Sequence, residues 1–222
     1  MTLAVIIAAA GAGRRLGRAE PKAFVELGGK PLVLWSLERF RRLPQRQATI
    51  VVVPPGWQSA AEVFTEESEF VLAGGPSRAE SVRRALRALP PGIELVAVHD
   101  AARPLVAPED IERTIEAAGD GRGAVLGRPV VDSLKRACEG KILAEVDRRD
   151  LWHAETPQVF PAGVLVEAYD RVEPEPEADD SRIAKSAGFE EIVLVQAGSW
   201  NPKITFPKDL LAAEELIGER RP

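Results

Sequence analysis

The stretch LAVIIAAAGAGRRLGRAEPK, residues 3–22, decides the fold. It begins with eight apolar residues, Leu3 to Ala10, rich in Val and Ile, the composition of a strand buried on both faces. It then breaks into Gly11-Ala12-Gly13, and Arg14, Arg15, Gly17, Arg18 and a Pro21-Lys22 pair follow within nine residues. Glycines let backbone N–H groups come close to a ligand, and the arginines and lysine make that ligand an anion. A buried strand that opens into a cationic glycine loop reads as a phosphate-handling device.

The rest of the chain agrees with that start. It has 222 residues, 45% hydrophobic and 28% charged, enough for one sizeable α/β core. Residues 1–48 hold nine Lys/Arg against three Asp/Glu, a net of +6, whereas the whole chain is at -5. The acidic total argues against a general nucleic-acid partner, and the positive end coincides with the glycine loop, as attraction of a small polyanion requires. One cysteine, Cys138, leaves no internal disulfide and fits a reducing, cytoplasmic setting. With His99 and His153 it gives no zinc-ligand spacing. No apolar run is long enough to cross a membrane. The arginines follow the 3–10 segment rather than precede it, which sets aside a secretory leader.

Strand-like and helix-like patterns alternate downstream. Residues 48–53, 94–98, 123–131, 192–195 and 203–206 read as strands; 77–89, 108–118, 161–171, a segment capped by Asp179-Asp180-Ser181 and ending at Gly188, and 208–217 read as helices. The expectation is a single Rossmann-like domain over residues 1–222, with a mostly parallel twisted sheet and helices on both faces. Residues 134–138 and 142–146, joined by Glu139-Gly140-Lys141, interrupt the pattern as a β-hairpin. The hairpin has too little apolar surface to fold alone, so a protruding arm at 133–153 that lies on the domain or reaches a second subunit is expected.

Spacing narrows the chemistry. A dinucleotide fingerprint needs a third glycine where Leu16 stands, and a P-loop needs Gly-Lys-Ser/Thr after the second; neither is present. The run Ala9 to Gly17 followed by Pro21-Lys22 resembles instead the opening of nucleotidyltransferases that activate sugars and alditol phosphates. Four further blocks resemble the cytidylyltransferases that act on 2-C-methyl-D-erythritol 4-phosphate: Gly74-Gly75 with Arg78 and Ser81-Val82; Val98-His99-Asp100-Ala101-Ala102-Arg103-Pro104; Leu151-Trp152-His153-Ala154 with Thr156-Pro157-Gln158; and Asn201-Pro202-Lys203-Ile204-Thr205. The blocks fall in order across nearly the whole chain.

The residues support roles of their own. Asp100 at the carboxyl end of a buried strand stands where open α/β sheets bind ligands, and a carboxylate suits Mg²⁺ on a triphosphate. The resemblance makes Arg15 and Lys22 transition-state stabilisers, a task that fixed cations perform well. It assigns Ala9, Ala10, Gly11, Gly13, Gly75, Ser81, Asp100 and Arg103 to the nucleotide. It assigns Arg148, Thr156 and Lys203 to the acceptor phosphate, and it implies a homodimer in which the arm crosses to the partner. His99 and His153 are read as packed, hydrogen-bonded residues, since a phosphate monoester with a second pKa of about 6 needs no general base. The implied reaction is transfer of CMP from CTP to the alditol phosphate with release of pyrophosphate. Ribitol 5-phosphate is a rival acceptor, because phosphate ligands discriminate poorly between alditols. A catalytically silent nucleotide-binding regulator is a rival of another class, opposed by the intact set of Arg15, Lys22, Asp100, Arg148 and Lys203.

Overall fold

The computed structural model describes residues 1–11, 13–173, 175 and 178–219; Ala12 of the opening motif, Pro174, Pro176 and Glu177 of the acidic loop, Arg220, Arg221, Pro222 and the side chains of Arg14 and Glu219 lie outside the described set. The strands are β1 (Leu3–Ala8), β2 (Glu26–Leu27), β3 (Lys30–Pro31), β4 (Arg46–Val53), β5 (Glu69–Ala73), β6 (Leu95–Asp100), β7 (Gly123–Pro129), β8 (Leu134–Cys138), β9 (Lys141–Val146), β10 (Trp152–Pro161) and β11 (Ile192–Gln196). The helices are α1 (Leu32–Arg41), α2 (Gln58–Glu62), α3 (Arg78–Arg87), α4 (Pro108–Ala117), α5 (Ala162–Arg171), α6 (Asp180–Ser186) and α7 (Pro207–Glu219).

Seven strands form one sheet in the order β11-β7-β10-β6-β1-β4-β5. Each neighbouring pair is parallel except those made by β10, which runs against both β6 and β7. Successive strand residues feed opposite faces, as the pleat requires. Leu3, Val5 and Ile7 pack with Val33, Leu37 and Phe40 of α1 and Ile111 and Ile115 of α4. Ile6, Ile50 and Val52 pack with Val82 and Leu86 of α3, Leu165 of α5 and Ile183 of α6. A strand that is apolar on both sides therefore has helices on both sides. A third cluster seats Leu210, Ala213 and Ile217 of α7 against Leu16, Leu27 and Ile204, closing the layer above the glycine loop.

The expected mostly parallel sheet with helices on both faces is what forms. Some local readings differ. The β10 strand carries no expectation, and because it begins at Trp152, the last two residues of the expected arm, Trp152 and His153, belong to the sheet. The α1 and α2 helices, the short β2–β3 pair and the β5 edge strand carry no expectation at all. Residues 203–206 are not a strand: their backbone is tied to the sheet side by Ile204 N–H donating to Ala102 O at 2.8 Å, not by a ladder.

The β8–β9 hairpin turns through Glu139 and Gly140, both at positive φ (48° and 77°), as a two-residue turn that matches strand twist requires. Its side chains are exposed almost throughout, including Ile142 and Leu143. No helix among the described residues is long and apolar enough to cross a membrane.

Candidate active site

The carboxyl ends of β1 and β6 lie side by side, with Ala8 opposite Asp100. The chain that leaves β1 passes through Ala9 and Ala10 into the glycine loop, and Gly13 sits at φ +64°. A Cβ on Gly13 would lie 2.6 Å from the Lys22 Cβ, so the loop presses directly on the residue it has to present. On the other wall, Gly74 sits so close to Ala10 that a Cβ would come within 2.4 Å of the Ala10 Cβ. The α3 helix starts there, its Ser77 cap accepting from Glu80 N–H at 3.1 Å and turning the positive end of the helix dipole toward the opening.

These elements enclose a cavity of about 570 Å³ bordered by Ala9, Ala10, Gly11, Gly13, Arg15, Lys22, Gly75, Arg78, Ser81, Asp100, Lys203 and Thr205. Every residue expected at the nucleotide is brought here except Arg103. Ser81 serves the wall as well as the opening. Its hydroxyl accepts from Gly75 N–H at 3.0 Å and donates to Ser77 O at 2.8 Å, which fixes the Gly74-Gly75 turn.

Asp100 is the electrostatic centre. Arg78 Nε donates to Oδ1 at 2.9 Å, and Lys203 Nζ donates to Oδ2 at 2.7 Å. Burial alone would raise its pKa, but the two cations overcome this and hold the carboxyl well below the usual range. Arg78 also donates to Oδ2 of the fully buried Asp180 at 2.8 Å, and Tyr169 O–H donates to the other oxygen of Asp180 at 2.6 Å. Arg78 Nη1 is buried without a partner among the described residues, beside the cavity. Arg78 stands in a sequence motif without a task of its own, because its two carboxylates come from positions 22 and 102 residues away, which spacing does not reveal.

Lys22 Nζ donates to Ile204 O at 2.9 Å. Its pKa is lowered to about 8, first by burial and next by the neighbouring Lys203, partly offset by Asp100. Arg15 is held by Phe206, its guanidinium 5.6 Å from the ring centroid. Both cations flank the Asp100 side of the cavity.

A second cavity, of about 590 Å³, adjoins this one and shares Lys203 with it. Arg103, Arg128, Trp152, Glu155 and Trp200 are among its walls. Arg103 belongs here and not to the first cavity. Its Nη1 donates to Asn201 O at 2.7 Å and its Nη2 to Ala154 O at 3.4 Å, with Glu155 behind at 3.8 Å, so it is drawn toward β10.

Thr156 and Arg148 line neither cavity. Arg148 is exposed at the base of the arm and donates to Val131 O. Thr156 is buried beneath Asp100, its hydroxyl accepting from Asp100 N–H at 3.1 Å. The same hydroxyl lies 3.2 Å from His99 Nδ1, while His99 Nε2 lies 3.1 Å from Arg103 O. A carbonyl only accepts, so Nε2 carries the proton and Nδ1 accepts from Thr156. Burial lowers the His99 pKa to about 4 and keeps the ring neutral. His99 and Thr156 are thus a scaffold under the Asp100 backbone, with the threonine's single donor already engaged.

No group of three or more His, Cys, Asp or Glu among the described residues makes a metal cage. Asp100 alone suits a hard divalent cation shared with substrate phosphates, the usual mode for Mg²⁺. The arrangement as a whole offers a glycine-walled pocket for an anion, fixed cations along one side, and an adjoining polar pocket joined to it by a lysine.

Comparison with known proteins bears on what the two pockets hold. The family model for 2-C-methyl-D-erythritol 4-phosphate cytidylyltransferase (IspD) matches residues 3–219. A protein of that name from Cereibacter sphaeroides is 40% identical over 221 residues, covering 98% of this chain and 97% of its own. Another, from Halalkalibacterium halodurans, is 34% identical over 229 residues, covering 99% of each. The crystal structure of the Thermus thermophilus protein of that name superposes with a TM-score of 0.79 at 35% identity, over 97% of this chain and 98% of the other.

Proposed function

We propose, from the premise that this chain belongs to the 2-C-methyl-D-erythritol 4-phosphate cytidylyltransferase family, that it transfers CMP from CTP to 2-C-methyl-D-erythritol 4-phosphate and releases pyrophosphate. One observation carries the division of the site. Lys203 borders both cavities and pairs with Asp100 at 2.7 Å, so a phosphate in the second cavity stands against a phosphate in the first.

CTP takes the first cavity, with its phosphates along Ala9, Ala10, Gly11 and Gly13 and its base and ribose against Gly75 and Ser81. The Ser81 hydroxyl gives its proton to Ser77 O and accepts from Gly75 N–H, which leaves a lone pair to accept from the exocyclic amine of cytosine. The partnerless Arg78 Nη1 is a further donor for the nucleotide. Asp100 would hold Mg²⁺, which neutralises charge on the triphosphate.

The acceptor enters the second cavity with its phosphate toward Lys203. A non-bridging phosphate oxygen attacks the α-phosphorus of CTP and forms the new P–O bond. The bond from the α-phosphorus to the bridging oxygen breaks, and pyrophosphate leaves with the electron pair. No base is needed, since the acceptor phosphate is already largely dianionic at neutral pH. Arg15 and Lys22 stabilise the charge that builds on the transferring phosphorus, so catalysis rests on positioning and fixed charge.

Lys203 holds the acceptor phosphate from within the chain, and Thr156 supports that site through the Asp100 backbone. Arg148, exposed at the base of the arm, serves the same phosphate from the partner subunit of a homodimer. The chain is one nucleotidyltransferase domain, and its hairpin, within the expected 133–153 and ending before β10 begins at Trp152, is the dimerisation arm.

Pyrophosphate release tests this. With CTP and Mg²⁺, release is expected with 2-C-methyl-D-erythritol 4-phosphate, far less with ribitol 5-phosphate, and none without an acceptor. Equal turnover of the two alditols would overturn the acceptor assignment, and no release with either would overturn the transfer itself.

A further inference from the structure

Arg128 takes no part in the transfer step, although its side chain stands in the wall of the second cavity. It sits on β7 in register with His153 of β10, next to the strand that carries Glu155. Its Nε lies 3.0 Å from Oε1 of Glu155, whose side chain is 2% exposed. The other oxygen, Oε2, accepts from Asn201 Nδ2 at 3.0 Å and lies 3.8 Å from Arg103 Nη1. One buried carboxylate therefore divides its two oxygens between two guanidiniums.

The two arginines differ in what they have left to offer. Arg103 uses both terminal nitrogens on backbone carbonyls, and its Nε, unpartnered among the described residues, is buried away from the cavity opening. Arg128 makes no hydrogen bond among the described residues with its terminal nitrogens, and it is 47% exposed. It is held at its base by a buried acid and free at its tip, which is how a preorganised ligand-binding guanidinium is built. Trp200, 46% exposed, borders the same cavity and adds apolar aromatic surface.

A planar fork of N–H donors beside an exposed indole suits a polyol: the fork donates to adjacent hydroxyls, and the ring packs on C–H surface. A phosphate is not the expected partner. The acceptor phosphate has to reach Lys203 and Asp100, where the cavities meet, and Arg128 does not border the nucleotide cavity.

We infer that Arg128, positioned by Glu155, is an acceptor-specificity residue that donates hydrogen bonds to the hydroxyl chain of the alditol phosphate. The inference rests on the reading of the second cavity as the acceptor site.

Calorimetry with two probes tests it: 2-C-methyl-D-erythritol 4-phosphate, which has the hydroxyl chain, and ethyl phosphate, which lacks it. Arg128→Ala, a change at a half-exposed position, is expected to weaken alditol phosphate binding about ten- to a hundredfold, the usual worth of hydrogen bonds to a charged group. Ethyl phosphate binding should stay within about twofold of wild type. In turnover, KM for the acceptor should rise while KM for CTP holds. Arg128→Lys should recover part of the loss. Glu155→Gln, if it folds, should move the same constants in the same direction.

Unchanged alditol binding in Arg128→Ala would overturn the inference while the cavity reading stands. Equal weakening of ethyl phosphate would make Arg128 a phosphate ligand and overturn it too. A wild-type protein that binds neither probe would overturn the cavity reading, and this inference with it.

Discussion

Replacing Lys22 by methionine should make the protein more stable and nearly inactive. Methionine keeps most of the length of the lysine stem and drops the charge. In the folded protein burial and Lys203 lower the Lys22 pKa from 10.5 to about 8. Each pKa unit is about 1.4 kcal/mol, so a protonated Lys22 costs the fold roughly 3 kcal/mol. The hydrogen bond from Lys22 Nζ to Ile204 O returns about 1 kcal/mol. Lys22→Met should therefore stabilise by roughly 2 kcal/mol near neutral pH, which raises Tm by about 4–8 °C for a chain of this size.

The sign depends on pH. Below about pH 8 the lysine is protonated in both the folded and unfolded states, and the whole cost is present. Between about 8 and 10.5 the folded state has lost its proton and the unfolded state has not, so wild-type stability rises with pH. The advantage of the variant should thus be full near neutral pH and gone above about 10.5. Thermal scans of both proteins at several pH values measure this. Turnover should fall by about 10²–10³-fold, the typical loss when one transition-state donor is removed. A variant less stable than wild type at neutral pH, or one whose advantage does not shrink as pH rises, would refute the reasoning.

Other consequences are open to simpler checks. Arg78→Met would leave Asp100 and Asp180 buried without their shared cation and should destabilise by about 3–5 kcal/mol in urea unfolding, with loss of turnover. The profile of kcat/KM for CTP should decline above about pH 8 as Lys22 of the free enzyme loses its proton. No inflection near the ordinary histidine value should come from His99, which burial keeps neutral down to about pH 4. Arg148→Ala should raise KM for the acceptor far more than KM for CTP, and deletion of the arm should do the same while sedimentation reports a smaller species.

The parts of this fold that were legible in sequence are those whose pattern is local. Leu3 to Ala8 is apolar on both faces because helices cover both faces, and Glu139-Gly140 supplies the two positive φ values that its hairpin turn demands. The β10 strand escaped because its middle, Glu155-Thr156-Pro157-Gln158, is polar and interrupted by proline. Those residues are nevertheless buried, because partners far away in the chain satisfy them: Arg128 and Asn201 for Glu155, Asp179 and Ser181 for Gln158. The α1 helix escaped for lack of a start signal, since Pro31 precedes it without a side-chain cap. At the site, motif resemblance picked out Arg15, Lys22, Asp100 and Lys203, and the fold brings these four to one cavity. Direction was not legible: Arg103 turns to Asn201 O and Ala154 O, and the Thr156 hydroxyl turns inward to His99.

CMP is joined to the alditol phosphate across two adjoining cavities that share Lys203. Phosphorus NMR of the protein with CTP, Mg²⁺ and 2-C-methyl-D-erythritol 4-phosphate tests it most directly. The expected result is loss of the acceptor's monoester signal, with a pair of mutually coupled diphosphate signals and pyrophosphate appearing in equal amounts. A spectrum in which the monoester persists, or in which pyrophosphate appears without the coupled pair, would contradict it.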